Sequence, residues 1–130
     1  MDRPCRIAVV DDESESLASI SRALRKVGHD VISFEDGEGA LRHVETLKDV
    51  DLLVSDLKMP RVDGLDLLKA VREINPEAGV LIVTGHGTVD SAVDAMKLGA
   101  DDYILKPLDL FELRDRVYRK IGRASCRERV

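Results

Sequence analysis

Long apolar runs are missing from this chain of 130 residues. No stretch approaches the roughly 18 apolar residues needed to cross a bilayer, so no membrane span is expected. Cysteine is scarce. Cys5 and Cys126 lie near opposite ends and fit no metal-ligand spacing, so no disulfide framework is expected; with no signal peptide in view, this favours the cytosol. Excess positive charge is lacking too. A net charge of −5 gives no electrostatic reason for this domain to bind nucleic acid or an anionic membrane, since either wants a basic patch. Low-complexity stretches, linkers rich in Pro, Gly or Ser, and sequence repeats are also absent. What remains is 44% hydrophobic and 35% charged, the balance of a soluble globular domain and not of a disordered one. A chain of this length makes one domain that buries roughly two thirds of its unfolded surface.

The hydrophobic period switches repeatedly between short runs and helical stripes. Ile7-Ala8-Val9-Val10 precedes a stripe of Leu17, Ile20, Leu24 and Val27, with Arg25 and Lys26 in the last turn and Gly28 to end it. Val31-Ile32-Ser33-Phe34 precedes Asp36 as N-cap and then Ala40, Leu41, Val44 and Leu47. Leu52-Leu53-Val54-Ser55 leads through Met59-Pro60 and Gly64 to Leu67, Leu68, Val71 and Ile74, closed by Pro76. Val80-Leu81-Ile82-Val83 precedes Thr88 as cap with Val89, Ala92, Val93 and Met96, ended by Gly99. Tyr103-Ile104-Leu105 precedes a capping-box-like Asp109 and Glu112, then Leu110, Leu113, Val117 and Ile121. The spacing therefore predicts five β-α units, an α/β fold whose parallel sheet is too apolar to have a wet face and is covered by helices on both sides. The domain is expected over 1–121. Residues 122–130 break the pattern, with Arg123, Arg127 and Arg129 against Glu128, and are read as a disordered tail or a remnant of expression.

Four of the runs end in reactive polar residues: Asp11-Asp12, Asp56, Thr84 and Lys106. In an open parallel sheet those ends lie along one edge, where ligands bind. Three carboxylates, a hydroxyl and an ammonium suit a divalent cation and a phosphoryl group better than a packed core, where unpaired charge is costly. Each residue alone has a plainer reading. A lone Asp at a strand end is most often a helix cap. Thr84 alone is a good β-former, and Lys106 alone is a solvated lysine. The set as a whole, with small Gly85 beside Thr84 and Pro107 shaping the backbone after Lys106, points to a phosphoryl-transfer site.

Asp11-Asp12, Asp56-x-x-Met59-Pro60 with Gly64, Thr84-Gly85 and Lys106-Pro107 resemble a bacterial response-regulator receiver domain over residues 5 to 121. The resemblance implies a flavodoxin-like sheet of order 2-1-3-4-5 with five helices, and a cis Lys106–Pro107 bond. It also implies Mg²⁺-dependent transfer of a phosphoryl group from a sensor histidine kinase or phosphotransfer protein to Asp56. Mg²⁺ takes few protein oxygens and keeps several waters, which suits Asp12 and Asp56 as direct ligands and Asp11 through water; the family adds the backbone carbonyl of Lys58. Lys106 supplies positive charge, and Thr84 donates to the phosphoryl oxygens. By the same resemblance, Lys58 and His86 tune hydrolysis of the acyl phosphate, and Tyr103 moves inward when Thr84 engages. The switched surface is the fourth helix, fifth strand and fifth helix, about Thr88 to Ile121, acting on an effector that is expected to be transcriptional or serving as a homodimer face. Such a domain is a switch and not an enzyme for other substrates. The stretch Gly85-His86-Gly87-Thr88 with Ala95-Met96-Lys97-Leu98-Gly99-Ala100 is similar to receivers of nitrogen-regulation activators.

Other classes fit less well. A hydrolase of the haloacid-dehalogenase type wants a second Asp two residues after the first, where Glu13 stands here. A flavodoxin-like nucleotide binder wants a glycine-rich cradle after strand one or three, and an acidic first loop repels phosphate in the absence of metal. A degenerate receiver acting by interaction alone would not need the intact acidic set.

Overall fold

The computed structural model describes residues 5–121, and the expected tail at 122–130 lies outside them. The elements follow in the order β1 (Arg6–Val10), α1 (Ser14–Lys26), β2 (Asp30–Phe34), α2 (Gly37–Leu41), α3 (Val44–Asp49) and β3 (Leu52–Ser55). Then come α4 (Gly64–Ile74), β4 (Gly79–Thr84), α5 (Val89–Lys97), β5 (Asp102–Leu105) and α6 (Leu110–Ile121). All strand pairs are parallel and the order is β2-β1-β3-β4-β5.

Continuous apolar strands arise because alternate residues feed two separate cores. Ala8, Val10, Leu53, Val80 and Ile82 point to one face, where Ala40 of α2, Leu47 of α3, Leu67, Leu68 and Val71 of α4 and Ala95 of α5 cover them. Ile7, Val9, Leu52, Val54, Leu81 and Val83 point to the other, covered by Leu17, Ile20 and Leu24 of α1 and Leu113 and Val117 of α6. Register does the rest. Val10 pairs with Ser55, so Asp11 and Asp56 each leave the sheet one residue later, side by side. The ladder continues as the Asp56 N–H donates to the Val10 carbonyl at 2.9 Å.

The expected second helix is two short ones, giving six helices among the described residues instead of five. Gly37 and Gly39 weaken its first turn, and the backbone leaves the helical region at His43 (φ −110°, ψ 53°). The His43 ring folds back, with Nδ1 2.8 Å from the Gly39 carbonyl and the ring tilted against Phe34. Asp36 caps α2 as expected, accepting from the Gly39 N–H. Thr88 and Ser91 form a reciprocal capping box on α5. Two stripes depart from expectation. Val27 is α1's C-cap and is half exposed. On α5 the residues Val89, Val93 and Met96 are exposed and Ala95 is buried in their place, because the helix lies on its small-residue edge. The expectation of no disulfide also fails for Cys5, which is disulfide-bonded.

Two positions generate predictions. A Cβ on Gly64 would collide with the Asp56 carbonyl oxygen and come 2.9 Å from the Leu57 Cα, both backbone atoms that cannot give way. Gly64→Ala is expected to destabilise the domain by about 1–3 kcal/mol, measured as a drop in urea midpoint at constant slope. At the opposite edge of the sheet, the Cys5 N–H donates to His29 Nδ1 at 3.2 Å, which requires the neutral ring. Burial lowers the His29 pKa, partly opposed by the Asp51 charge. The unfolded chain therefore binds the extra proton first. The His29 contribution is complete above about pH 6.5 and is lost as pH falls from there through the lowered folded value. The urea midpoint should fall over that window, and His29→Ala should flatten this part of the profile.

Candidate functional site

The site forms where β1, β3, β4 and β5 end. Asp11 is 1% exposed and Asp56 5%, while Asp12 is exposed. One carboxylate oxygen from each lies within 4.8 Å of the others. Lys106 reaches into this group from the far side: its Nζ is 3.0 Å from Asp11 Oδ2, 3.7 Å from Glu13 Oε1 and 3.8 Å from Asp56 Oδ2. Its backbone is held by the N–H donating to the Thr84 carbonyl at 2.9 Å, and the Lys106–Pro107 bond is cis.

Backbone amides orient the carboxylates. The Glu13 N–H donates to Asp11 Oδ1 at 2.9 Å, and the Leu57 N–H to Asp56 Oδ1 at 2.7 Å. In each, the second oxygen is left facing Lys106. Burial pushes the Asp11 pKa up, against the lowering effect of the Glu13 N–H and of Lys106. For Lys106 burial acts downward, but the hydrogen bond and charge of Asp11, with Asp56 and Glu13 behind it, leave its pKa raised. Three carboxylates thus face one ammonium, with Asp12 adding a further negative charge beside them. A set of mostly buried hard oxygen ligands with surplus negative charge fits a small divalent cation, which relieves the repulsion that Lys106 alone leaves.

Asp12, Glu13, Asp56, Gly85, His86 and Lys106 line an open cavity of about 280 Å³. Thr84 is fully buried, with Oγ1 accepting from the His86 N–H at 3.0 Å. A Cβ on Gly85 would meet only Lys106 side-chain carbons at 3.9 Å. Glycine there leaves space in the cavity and is not required by the surrounding packing. Lys58 and His86 are exposed on the loops after Asp56 and Thr84. Tyr103 is not in the cavity wall. It is half-buried, packs on Gly87 and places its hydroxyl 2.8 Å from Ser91 Oγ.

Two residues went unrecognised from sequence. Glu13 stands at the N-cap of α1, yet its carboxylate accepts from the Ser16 hydroxyl and faces Lys106 without capping the backbone. Its place directly after Asp11-Asp12 was the available signal. Ser91 was legible as the third residue of a capping box, but nothing in the sequence links it to Tyr103.

The family model of the response regulator receiver domain matches residues 7–118. The transcriptional regulatory protein PrrA of Mycobacterium leprae is 39% identical over 121 residues, 93% of this chain and 52% of that protein. The DNA-binding transcriptional regulator NtrC of Escherichia coli is 41% identical over 114 residues, 88% of this chain and 24% of that protein. The chain thus spans about half the length of the first relative and a quarter of the second. Among solved structures, a response regulator receiver domain protein from Clostridium thermocellum superposes with a TM-score of 0.84 at 36% identity, covering 92% of this chain and 95% of that one. With a matching family model over most of its length and the parallel 2-1-3-4-5 sheet that brings its acidic residues together, this chain belongs to the response regulator receiver domain family.

Proposed function

We propose that Asp56 is the phosphoacceptor of a Mg²⁺-dependent switch, with the receiver domain running over 1–121. The observation that carries this reading is a buried Asp56 carboxylate with Oδ1 held by the Leu57 N–H and Oδ2 turned toward Lys106 across an open cavity. A carboxylate is a weak nucleophile toward a phosphoryl donor that is itself negative, so charge on both must be offset. Mg²⁺ held by Asp11, Asp12, Asp56 and the Lys58 carbonyl would supply that neutralisation. Asp56 attacks phosphorus of a phosphohistidine on a sensor kinase or phosphotransfer protein. The P–N bond breaks as the acyl O–P bond forms, and the departing imidazole keeps the electron pair and takes a proton from solvent. Lys106 offsets charge on the transferred group. Thr84 donates a hydrogen bond from its hydroxyl to a phosphoryl oxygen, and Lys58 and His86 on the flanking loops control access of hydrolytic water.

The signal passes from Thr84 to Tyr103 and out to the face formed by α5, β5 and α6. That face already exposes Val89, Val93, Met96, Leu105, Phe111 and Tyr118, an apolar surface suited to a homodimer or to an effector, transcriptional as in the named relatives. The domain carries out its own phosphorylation and dephosphorylation and no other reaction, acts in the cytoplasm and leaves nucleic acid to the effector. No helix among the described residues is long and apolar enough to cross a membrane.

Incubation with acetyl phosphate and Mg²⁺ should add one base-labile phosphoryl group, detected by intact mass, and Asp56→Asn should abolish it. Persistent labelling in that variant, on a histidine or on Ser55, would remove Asp56 from the role; Ser55 is fully buried with its hydroxyl donating to the Asp56 carbonyl. A further expectation concerns Asp12, which crowds the cluster without capping α1. Asp12→Ala should weaken Mg²⁺ binding at least tenfold in a calorimetric titration. It should also leave the metal-free melting temperature equal or higher, since one repelling charge is gone. A clear fall in that temperature would make Asp12 a structural residue.

A further inference from the structure

Two cavities share a wall beside the acidic cluster. The smaller, of about 280 Å³, holds Asp12, Asp56 and His86. The larger, of about 590 Å³, lies between α1 and the segment after β5, with Ser19 and Ile20 on one side and Pro107, Leu108 and Leu110 on the other. Glu13, Gly85 and Lys106 line both. Asp56 borders only the smaller cavity, so a phosphoryl group bound to it lies between that carboxylate and the shared wall. In-line transfer puts the attacking and leaving groups on opposite sides of phosphorus. The leaving group of the donor therefore faces the wall.

The three wall residues differ in what they offer. Gly85 has no side chain, and Lys106 is committed to Asp11 at 3.0 Å. Glu13 is the member that reaches outward. Its side chain is 65% exposed, its Oε1 accepts from the Ser16 hydroxyl and lies 3.7 Å from Lys106 Nζ, and among the described residues no donor reaches Oε2. The Ser16 contact keeps this carboxylate at the wall, where it would otherwise be one of many solvated glutamates. Glu15 adds a second carboxylate to the larger cavity, whose only basic lining residue is Lys106. An ionised carboxylate accepts hydrogen bonds and donates none. It favours a leaving group that presents a cationic N–H, and it opposes one that departs as an anion.

We propose that Glu13 is a specificity-determining residue that selects the phosphoryl donor, favouring donors whose leaving group is a protonated nitrogen base over acyl phosphates. This rests on the reading of Asp56 as phosphoacceptor. With a phosphohistidine, the proton that the imidazole takes from solvent sits on the ring nitrogen remote from phosphorus, and that N–H donates to Glu13. As the Asp56 oxygen bonds to phosphorus the P–N bond breaks, the departing nitrogen keeps the electron pair, and the ring leaves neutral. Phosphoramidate loses its protonated nitrogen as ammonia in the same way. With acetyl phosphate the P–O bond breaks, the oxygen keeps the pair, and acetate departs as an anion beside Glu13. The same carboxylate thus aids the first two donors and hinders the third.

The test compares initial rates of phosphorylation by phosphoramidate and by acetyl phosphate, followed by intact mass at saturating Mg²⁺. Glu13→Gln keeps the side chain's length and an acceptor for Ser16 but removes the charge. It should slow labelling by phosphoramidate about threefold and speed labelling by acetyl phosphate about threefold, the size of one screened pair of unit charges. The ratio of the two rates then changes about tenfold. A purely structural role, or one exerted only through Lys106, moves both rates in the same direction. Glu13→Asp keeps the charge and should keep the wild-type order of donors. Added salt should lower the ratio of the phosphoramidate to the acetyl phosphate rate in the wild type and change it less in Glu13→Gln, since an exposed charge is screened. Parallel shifts with both donors, or none with either, overturn the selection by Glu13 while the label stays on Asp56. Labelling that survives Asp56→Asn overturns the reading of Asp56 and this inference with it.

Discussion

The Asp11 carboxylate lies almost wholly out of solvent, and its counter-charge comes from Lys106, 95 residues further along the chain. Burying one charge is costly and burying a pair is tolerable only when geometry is good and remaining lone pairs are satisfied. Here the Glu13 N–H takes the second oxygen, and the 3.0 Å contact to Nζ takes the first. This pair requires β1 and β5 to end on the same edge although two strands separate them. It therefore depends on the whole register of the sheet. Any slip of β3 or β4 would move Asp56 or Thr84 away from the same edge and leave Lys106 shared among fewer partners.

The edge is crowded with charge because the sheet beneath it is not. Both faces of β1, β3 and β4 are sealed by helices, and the strands carry almost no polar side chains until their last residues. At the other end of the sheet two polar side chains are satisfied by backbone carbonyls. Asn75 donates to the Leu47 and Val50 carbonyls at 3.0 and 2.9 Å, and Arg72 gathers the carbonyls of Gly99 and Ala78. These contacts lie at the end of the sheet away from the acidic cluster. The domain is thus firmly tied at one end, while the other keeps charges that a ligand can rearrange.

The long helices differ in how they are held. α1 and α6 are anchored by large aliphatic side chains, and α5 by an alanine and two polar contacts. Loose packing of one helix beside a charged cleft is a place where a local change in charge has a cheap structural response. The exposed Val89, Val93 and Met96 follow from this: a helix lying on its small-residue edge must turn its larger residues outward.

Much of this protein was legible in its sequence. Continuous apolar runs of four residues alternating with helical stripes dictate a covered parallel sheet, because period and polarity are local properties of the chain. Asp11, Asp12, Asp56, Thr84 and Lys106 could be gathered onto one edge for the same reason, each standing just past a run. Asp36, Thr88 and Asp109 were readable as caps, since a cap acts within three residues of itself. The break at His43 was not readable, because it depends on a ring folding onto Phe34 from another element. Nor was the orientation of α5, whose apolar stripe looked like a core face until Ala95 and Tyr103 took the contact. Glu13 beside Lys106, Ser91 beside Tyr103 and Arg72 beside Gly99 are likewise pairings across long stretches of chain. Such contacts are set by how layers pack and by which end of a helix is pinned, and local pattern carries no information about either.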